Sequence, residues 1–316
     1  MKRKPMSDRV AEYIQYKRNL GFKYRGQAYE LKSFGRFADI HARRCPLTIK
    51  LALQWAILPS TGKPYHSLRL RILSGLAKFL ILHDPQTELI PTYMLGSHFQ
   101  RTPPYIYTQN EIVQLMTSIG THVDQKLFNN VTLSSIIGLL VSTGMRIGEV
   151  LALNDQDIDW KQNALVIRRS KKLPMRLVPL NRSVIYHLKK YKKQRDIFFP
   201  VKKDNAFFTS TRGERYAYTT IRQAWARLRE RTGIGKNEHR LPRLHDFRHT
   251  FACNHLLRAY KEKKNIDTAV HLLSVYLGHT SVKKTYWYLT GVPILLELVS
   301  QQVEKHIKSI RKDKTK

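Results

Sequence analysis

The sequence predicts a mainly α-helical protein with a small β-sheet, an α+β chain in two domains. Three observations carry that expectation. Apolar residues recur at spacings of three and four through most of the chain, and only three short runs read as strands. The periodicity fails over residues 91–107, where Gly96, Pro103 and Pro104 disfavour regular structure. At 316 residues the chain is long enough for two cores of ordinary size.

Ser7 can cap a first helix carrying Val10, Tyr13 and Ile14, which Gly21 would end. A second helix would carry Tyr29, Leu31, Phe34, Phe37 and Ile40; a third runs over residues 51–57 and a fourth over 67–83. Residues 1–97 therefore read as a helical domain, followed by a linker and a second domain over 104–316. Thr108 and Glu111 form a capping-box pattern that opens the second domain. A long apolar helix covers 128–143 and stops at Gly144. Strand-like runs at 164–168, 175–180 and 206–209 should form the sheet, the first two joined by the turn SKKLP. Helices resume near Ser183, Tyr218, His245, Asp267, Ser281 and Pro293.

Charge narrows the function. The chain holds 56 Lys and Arg against 23 Asp and Glu, a formal net charge of +33. That excess is more than solubility requires and points to a polyanionic partner. No apolar run of about 18 residues could span a bilayer, so nucleic acid is favoured over membrane. The basic start MKRKPMSDRVAEYIQ lacks the apolar stretch of a secretory signal, which suggests the cytoplasm. Cys45 and Cys253 lie too far apart for a disulfide framework or a zinc cluster. There is no Walker pattern and no convincing carboxylate cluster for Mg2+, so neither cofactor nor metal is expected. No internal repeat recurs at a fixed period, and the basic tail KSIRKDKTK is the one biased segment.

Four segments could carry chemistry. In STGMRIGEVLAL, Arg146 follows a glycine helix stop and has Glu149 one turn ahead. A guanidinium held by a carboxylate can clamp two phosphate oxygens, although a plain surface ion pair looks the same in sequence. In RRSKKLPMRLVPL, Lys171 and Lys172 sit in a turn between strands, where an ammonium can protonate a leaving alkoxide or merely contact a DNA backbone. In LPRLHDFRHTFACNHLL, His245 and Arg248 stand three apart at a helix start whose N–H groups favour an anion. A core histidine would fit the same position, and His249 is a weaker candidate. In LLSVYLGHTSVKKTYWYLTG, His279 follows a helix end, and the next helix carries Tyr286 and Tyr288, either nucleophiles or core aromatics.

Taken in order, Arg146, a turn lysine, His245-x-x-Arg248, His279 in LGH and Tyr288 nine residues later resemble the tyrosine recombinase (phage integrase) family. The likeness covers about 140 residues closely, and the helical region before them is similar to the family's core-binding domain. It implies clamp arginines at Arg146 and Arg248, a general acid at Lys171 with Lys172 one residue away, and a nucleophile at Tyr288 rather than Tyr286. Two departures stand out: the lysine turn reads KKLPM instead of a glycine-rich loop, and the stretch between Arg248 and His279, with AYKEKKNID, is longer than usual.

The implied reaction needs no metal or nucleotide. Arg146, Arg248 and His279 would stabilise a charged phosphorane, His245 would assist proton transfer at the tyrosine, and Lys171 would protonate the 5′-oxygen. The resemblance further implies two domains clamped on double-stranded DNA and four protomers exchanging strands at two sites through a Holliday junction, with a partner recombinase or accessory protein left open. A type IB topoisomerase is the rival enzyme, and a DNA-binding protein that no longer cuts is the rival from another class. After Pro293, Leu296, Val299, Val303, Ile307 and Ile310 form an apolar helical stripe expected to dock on a neighbouring protomer, or in cis on its own domain.

Overall fold

The structure, a computed structural model, describes residues 3–58, 63–96, 103–120, 127–168, 175–201 and 204–290. The chain divides into two compact units, Met1–Thr102 and Pro103–Lys316.

The first unit is built from α1 (Met6–Asn19), α2 (Arg25–His41), α3 (Ile49–Ile57) and α4 (Lys63–Leu80). Its core gathers Tyr13, Leu31, Phe34, Trp55, Leu73 and Leu76. Ser7 does not cap α1. The helix begins at Met6, and the carboxylate of Asp39 on α2 accepts from the backbone N–H of Met6 at 2.6 Å and of Ser7 at 3.1 Å. Burial alone would raise the Asp39 carboxyl, but a hydrogen bond from the Ser7 side chain, these two backbone bonds and the Arg9 charge bring it below its ordinary value. Helix α2 carries the five residues expected of it, but Tyr29 and Ile40 are 72% and 76% exposed. The buried face of α2 is set by Ala28, Leu31, Phe34, Gly35 and Ala38 instead. Gly35 lets α1 approach so closely that a Cβ there would stand 3.0 Å from the Ser7 Cα.

In the second unit the helices are α5 (Gln109–Gly120), α6 (Leu127–Thr143), α7 (Ile147–Ala152), α8 (Arg182–Phe198), α9 (Tyr218–Thr232), α10 (Asp246–Lys261), α11 (Ile266–Leu277) and α12 (Lys283–Thr290). The predicted capping box opens α5: Glu111 N donates to Thr108 Oγ1 at 3.2 Å, and Thr108 N to Glu111 Oε2 at 2.8 Å. Tyr107, placed by sequence in a linker, is 2% exposed and stacks on Phe247 at 4.2 Å. No described side chain of helix α6 is exposed, as befits a central helix; α5, α8 and α10 all pack on it.

The sheet is antiparallel in the order β1 (Ile158–Asp159), β2 (Ala164–Ile167), β3 (Arg176–Pro179), with Ala164 opposite Pro179 and Ile167 opposite Arg176. The run 206–209 is not its third strand. It forms single bridges from Ala206 to Asn154 and from Thr209 to Arg215, while Phe207 and Phe208 fill the core beside Tyr191. A short apolar run reads the same whether it is a strand or a buried loop. Cys253 is buried and Cys45 exposed, both as free thiols. Among the described residues no helix is long and apolar enough to cross a membrane.

Candidate functional site

The site is organised by the carbonyl groups that helix ends leave without an intrahelical donor. Helix α6 runs out at Thr143 into Gly144 at φ 61°, and α11 runs out at Leu277 into Gly278 at φ 63°. At the second end His279 N bonds back to Ser274 O at 3.0 Å, a left-handed glycine cap. Arg248, on the first turn of α10 and 1% exposed, spans both ends: Nη1 donates to Gly144 O at 3.0 Å and Nη2 to Leu277 O at 2.7 Å. Two helix C-termini, each a negative dipole end, thus hold one guanidinium. Burial, then the charge of Arg146, lowers the Arg248 pKa to about 10, so it stays cationic at neutral pH.

Arg146 caps α7, with its side chain 36% exposed. Its Nη1 donates to Glu149 Oε1 at 2.8 Å and its Nη2 to Gly278 O at 3.2 Å, while its backbone N–H donates to Glu149 Oε2 at 3.0 Å. Glu149 also receives Arg176 of β3, at 3.2 and 2.8 Å, and Arg176 Nε donates to Tyr276 O at 3.0 Å. Burial pushes the Glu149 carboxyl up, but the hydrogen bonds and charges of Arg176 and Arg146 outweigh it, and Glu149 lies below its ordinary value. Two guanidiniums therefore share the Glu149 carboxylate while Arg248 is held on backbone carbonyls, so three cations face one acid and leave positive charge for an anion.

His279 follows the α11 cap, and its Nδ1 pairs with Thr285 Oγ1 at 2.7 Å. Burial, then Arg248 and Arg146, lowers its pKa to about 3, so the imidazole is neutral. Tyr288 of α12 is 2% exposed and its ring lies 6.2 Å from that of His279. Burial raises its pKa, and the Arg248 charge opposes the rise. Tyr286 is elsewhere: its hydroxyl donates to Asp267 Oδ1 at 2.8 Å on the exposed side of α12.

His245 caps α10 at the open mouth of the site. Desolvation by its neighbours, then the charges of Arg248, Arg243 and Arg146, lower its pKa. Its ring meets His249 edge-on at 4.9 Å, and His249 in turn lies 5.4 Å from the Tyr288 ring. The His249 Nδ1 is buried without a hydrogen-bond partner.

The fold thus brings Arg146, His245, Arg248, His279 and Tyr288 into one constellation from the start of α7, α10, the end of α11 and α12. Lys171 and Lys172 lie outside the described residues; the last described pair before that turn is Ile167 opposite Arg176. Sequence reasoning missed Arg176 and Thr285 and passed over His249. Arg176 carried no local signal, since its carboxylate is 27 residues away. His249 did carry one: it sits one helical turn after His245.

The sequence pattern of the phage integrase family matches residues 106–291. The chain is 33% identical over 303 residues to a protein named as an integrase/recombinase, y4rB of Sinorhizobium fredii, covering 94% of this chain and 96% of that one. It is 24% identical to the tyrosine recombinase XerC of Thermodesulfovibrio yellowstonii, covering 82% of each. Among solved structures, the Tn1549 transposon integrase in complex with transposon right end DNA superposes with a TM-score of 0.64 at 18% identity, over 95% of this chain and 100% of the other. A λ integrase dimer on a core site superposes at 0.61 and 16% identity, over 89% and 76%. By its matched residues and its fold alike, the chain belongs to the phage integrase family.

Proposed function

We propose that the chain is a site-specific tyrosine recombinase that cleaves and rejoins double-stranded DNA through a 3′-phosphotyrosine. The observation that carries this reading is the buried Tyr288 set beside His279 and Arg248, whose guanidinium is fixed in place by two helix ends. A phosphodiester resists attack because its oxygens are negative and its leaving alkoxide is basic. Donors held where charge develops answer the first difficulty without reorganising.

In the proposed step the Tyr288 oxygen attacks phosphorus, and the bond to the 5′-oxygen breaks. Arg146 and Arg248 bind the non-bridging oxygens. With Thr285 donating to Nδ1, His279 carries its proton on Nε2 and donates it to the same group. His245 accepts the phenolic proton, and Lys171 gives one to the 5′-oxygen. One phosphoester replaces another, so rejoining requires no nucleotide. The first unit would act as the core-binding domain and the second as the catalytic one, with four protomers assembled on two sites.

On a nicked duplex whose released strand diffuses away, wild-type protein should accumulate a covalent adduct, with EDTA present and nucleotide absent. Tyr288→Phe should bind the duplex normally and form none, whereas Tyr286→Phe should still form it. An adduct from Tyr288→Phe would sink the assignment. Lys171→Ala should slow cleavage about 100-fold, and sulfur in place of the bridging 5′-oxygen should restore it, because a thiolate leaves without a proton. Rescue confined to Lys172→Ala would move the general acid to Lys172.

A further inference from the structure

Helix α8 supplies no residue to the constellation around Tyr288, yet its outer face is unusual. Ile185, Leu188 and Tyr191 bury the opposite face. Outward, at spacings of four, three, four and four, stand Arg182, Tyr186, Lys189, Lys193 and Ile197, all exposed. Tyr186 is 64% and Ile197 68% exposed, which no packing need explains. The acid on this helix is committed: Asp196 pairs with Lys192 at 2.6 Å and with buried Arg195 at 2.6 Å. A shallow hollow at the stripe is lined by Trp160, Lys189, Lys192, Lys193, Asp196 and Ile197.

The same stripe occurs in the other unit. On α2, Arg25, Tyr29, Lys32, Arg36 and Ile40 are exposed at identical spacing, with Leu31 and Asp39 matching Leu188 and Asp196 at the same offset. The buried residues between them otherwise differ, so the likeness concerns what each helix presents to solvent.

We propose that the exposed face of α8 docks on the phosphate backbone of duplex DNA beyond the segment held at the Tyr288 site. From Arg182 to Ile197 the helix rises about 22 Å, which spans about six base-pair steps. Cations supply the backbone contacts, and Tyr186, one turn inside the stripe, and Ile197, at its end, pack against sugars. A second copy of the chain is the poorer occupant, because a face rich in Lys and Arg would meet its own like charge in a protein of net +33. The site helix α10 and the stripe helix α8 both pack on α6, and the stripe itself is on the face of α8 opposite Ile185, Leu188 and Tyr191.

The proposal rests on the recombinase reading, and one experiment separates the two. Affinity is measured against salt for two duplexes, one limited to the cleavage site and one extended on both sides, using the full chain and the variant Arg182→Ala, Lys189→Ala, Lys193→Ala. Wild type should bind the extended duplex more tightly and with a steeper salt dependence. The variant should lose that gain, with the slope on the extended duplex shallower by about 2 to 3 units, at about 0.9 per phosphate contact. Adduct formation on the short nicked duplex should be unchanged in the variant; loss of adduct from wild type and variant alike would count against the recombinase reading alone. Equal slopes for both proteins on the extended duplex would overturn the proposal. So would sedimentation showing that the triple variant abolishes a wild-type dimer formed without DNA, or retention of the DNA slope with loss of binding to phosphatidylserine vesicles.

Discussion

At the scale of single residues, the neutral imidazoles couple the site to pH. His249 and His279 are each held down to about 3, by burial first and then by neighbouring histidine and arginine groups. An unfolded histidine titrates near 6.5. Between those values the unfolded chain binds more protons, so stability is present above about 6.5 and is lost as pH falls towards 3. Melting temperature without DNA should therefore drop on acidification through that window, and less steeply in His249→Phe. An anion bound at Arg146 and Arg248 opposes the part of the His279 depression that comes from those two charges, while burial remains. DNA binding at pH 6 should then take up protons, seen as a binding enthalpy that varies with the ionisation enthalpy of the buffer; no such variation would refute the coupling. Gly278 gives a steric test. Its φ of 63° disfavours any side chain by about 1–2 kcal/mol, and a Cβ there would stand 2.9 Å from Arg176 Nη1. Gly278→Ala should lower stability to chemical denaturation by about that much and slow adduct formation. The pairing of Arg146 with Glu149 was legible as a spacing of three, whereas Arg176, the other partner of Glu149, arrives from a distant strand and was not.

At the scale of elements, helix positions among the described residues followed from periodicity, but their ends depended on where neighbours lie; the helix expected after Pro293, with its stripe from Leu296 to Ile310, lies outside the described residues. Thr108 and Glu111 satisfy each other locally, so the start of α5 could be read directly. The donors at the start of α1 are satisfied by Asp39, more than thirty residues away, and Ser7 was the wrong residue for that reason. Asp39→Ala should destabilise the protein by about 1 kcal/mol, the usual value of a lost cap, while Ser7→Ala, which removes a hydroxyl bonded to Asp39 but leaves both backbone donors capped, should cost less. An equal effect of the two would argue against Asp39 as the cap. Phe207 and Phe208 show the other limit: bulk and apolarity mark burial, but only the bridges to Asn154 and Arg215 tell that no strand forms.

For the whole molecule, the charge was legible at once and its placement was not. With about ten phosphates neutralised, log K for DNA should fall with log salt at a slope of about minus nine; a slope near zero would contradict phosphate-dominated binding. The described site residues lie in the second unit and around its own apolar clusters. A fragment over residues 103–316 should melt cooperatively by itself and still form some adduct at low salt. The manner in which Arg146 and Arg248 are held also bears on how this site can drift in sequence. Arg248 is anchored by the carbonyls of Gly144 and Leu277, and Arg146 in part by that of Gly278. Every residue type carries a carbonyl, so no substitution can delete those acceptors; only a change of backbone path can move them. A saturation library scored for cleavage should accordingly tolerate many apolar replacements at Leu277, while admitting almost nothing at Gly144, where a Cβ would sit 2.5 Å from Phe251. Tolerance in the library would be decided by torsion angle and space at Gly144 and by burial at Leu277, and at neither by a hydrogen-bonding side chain.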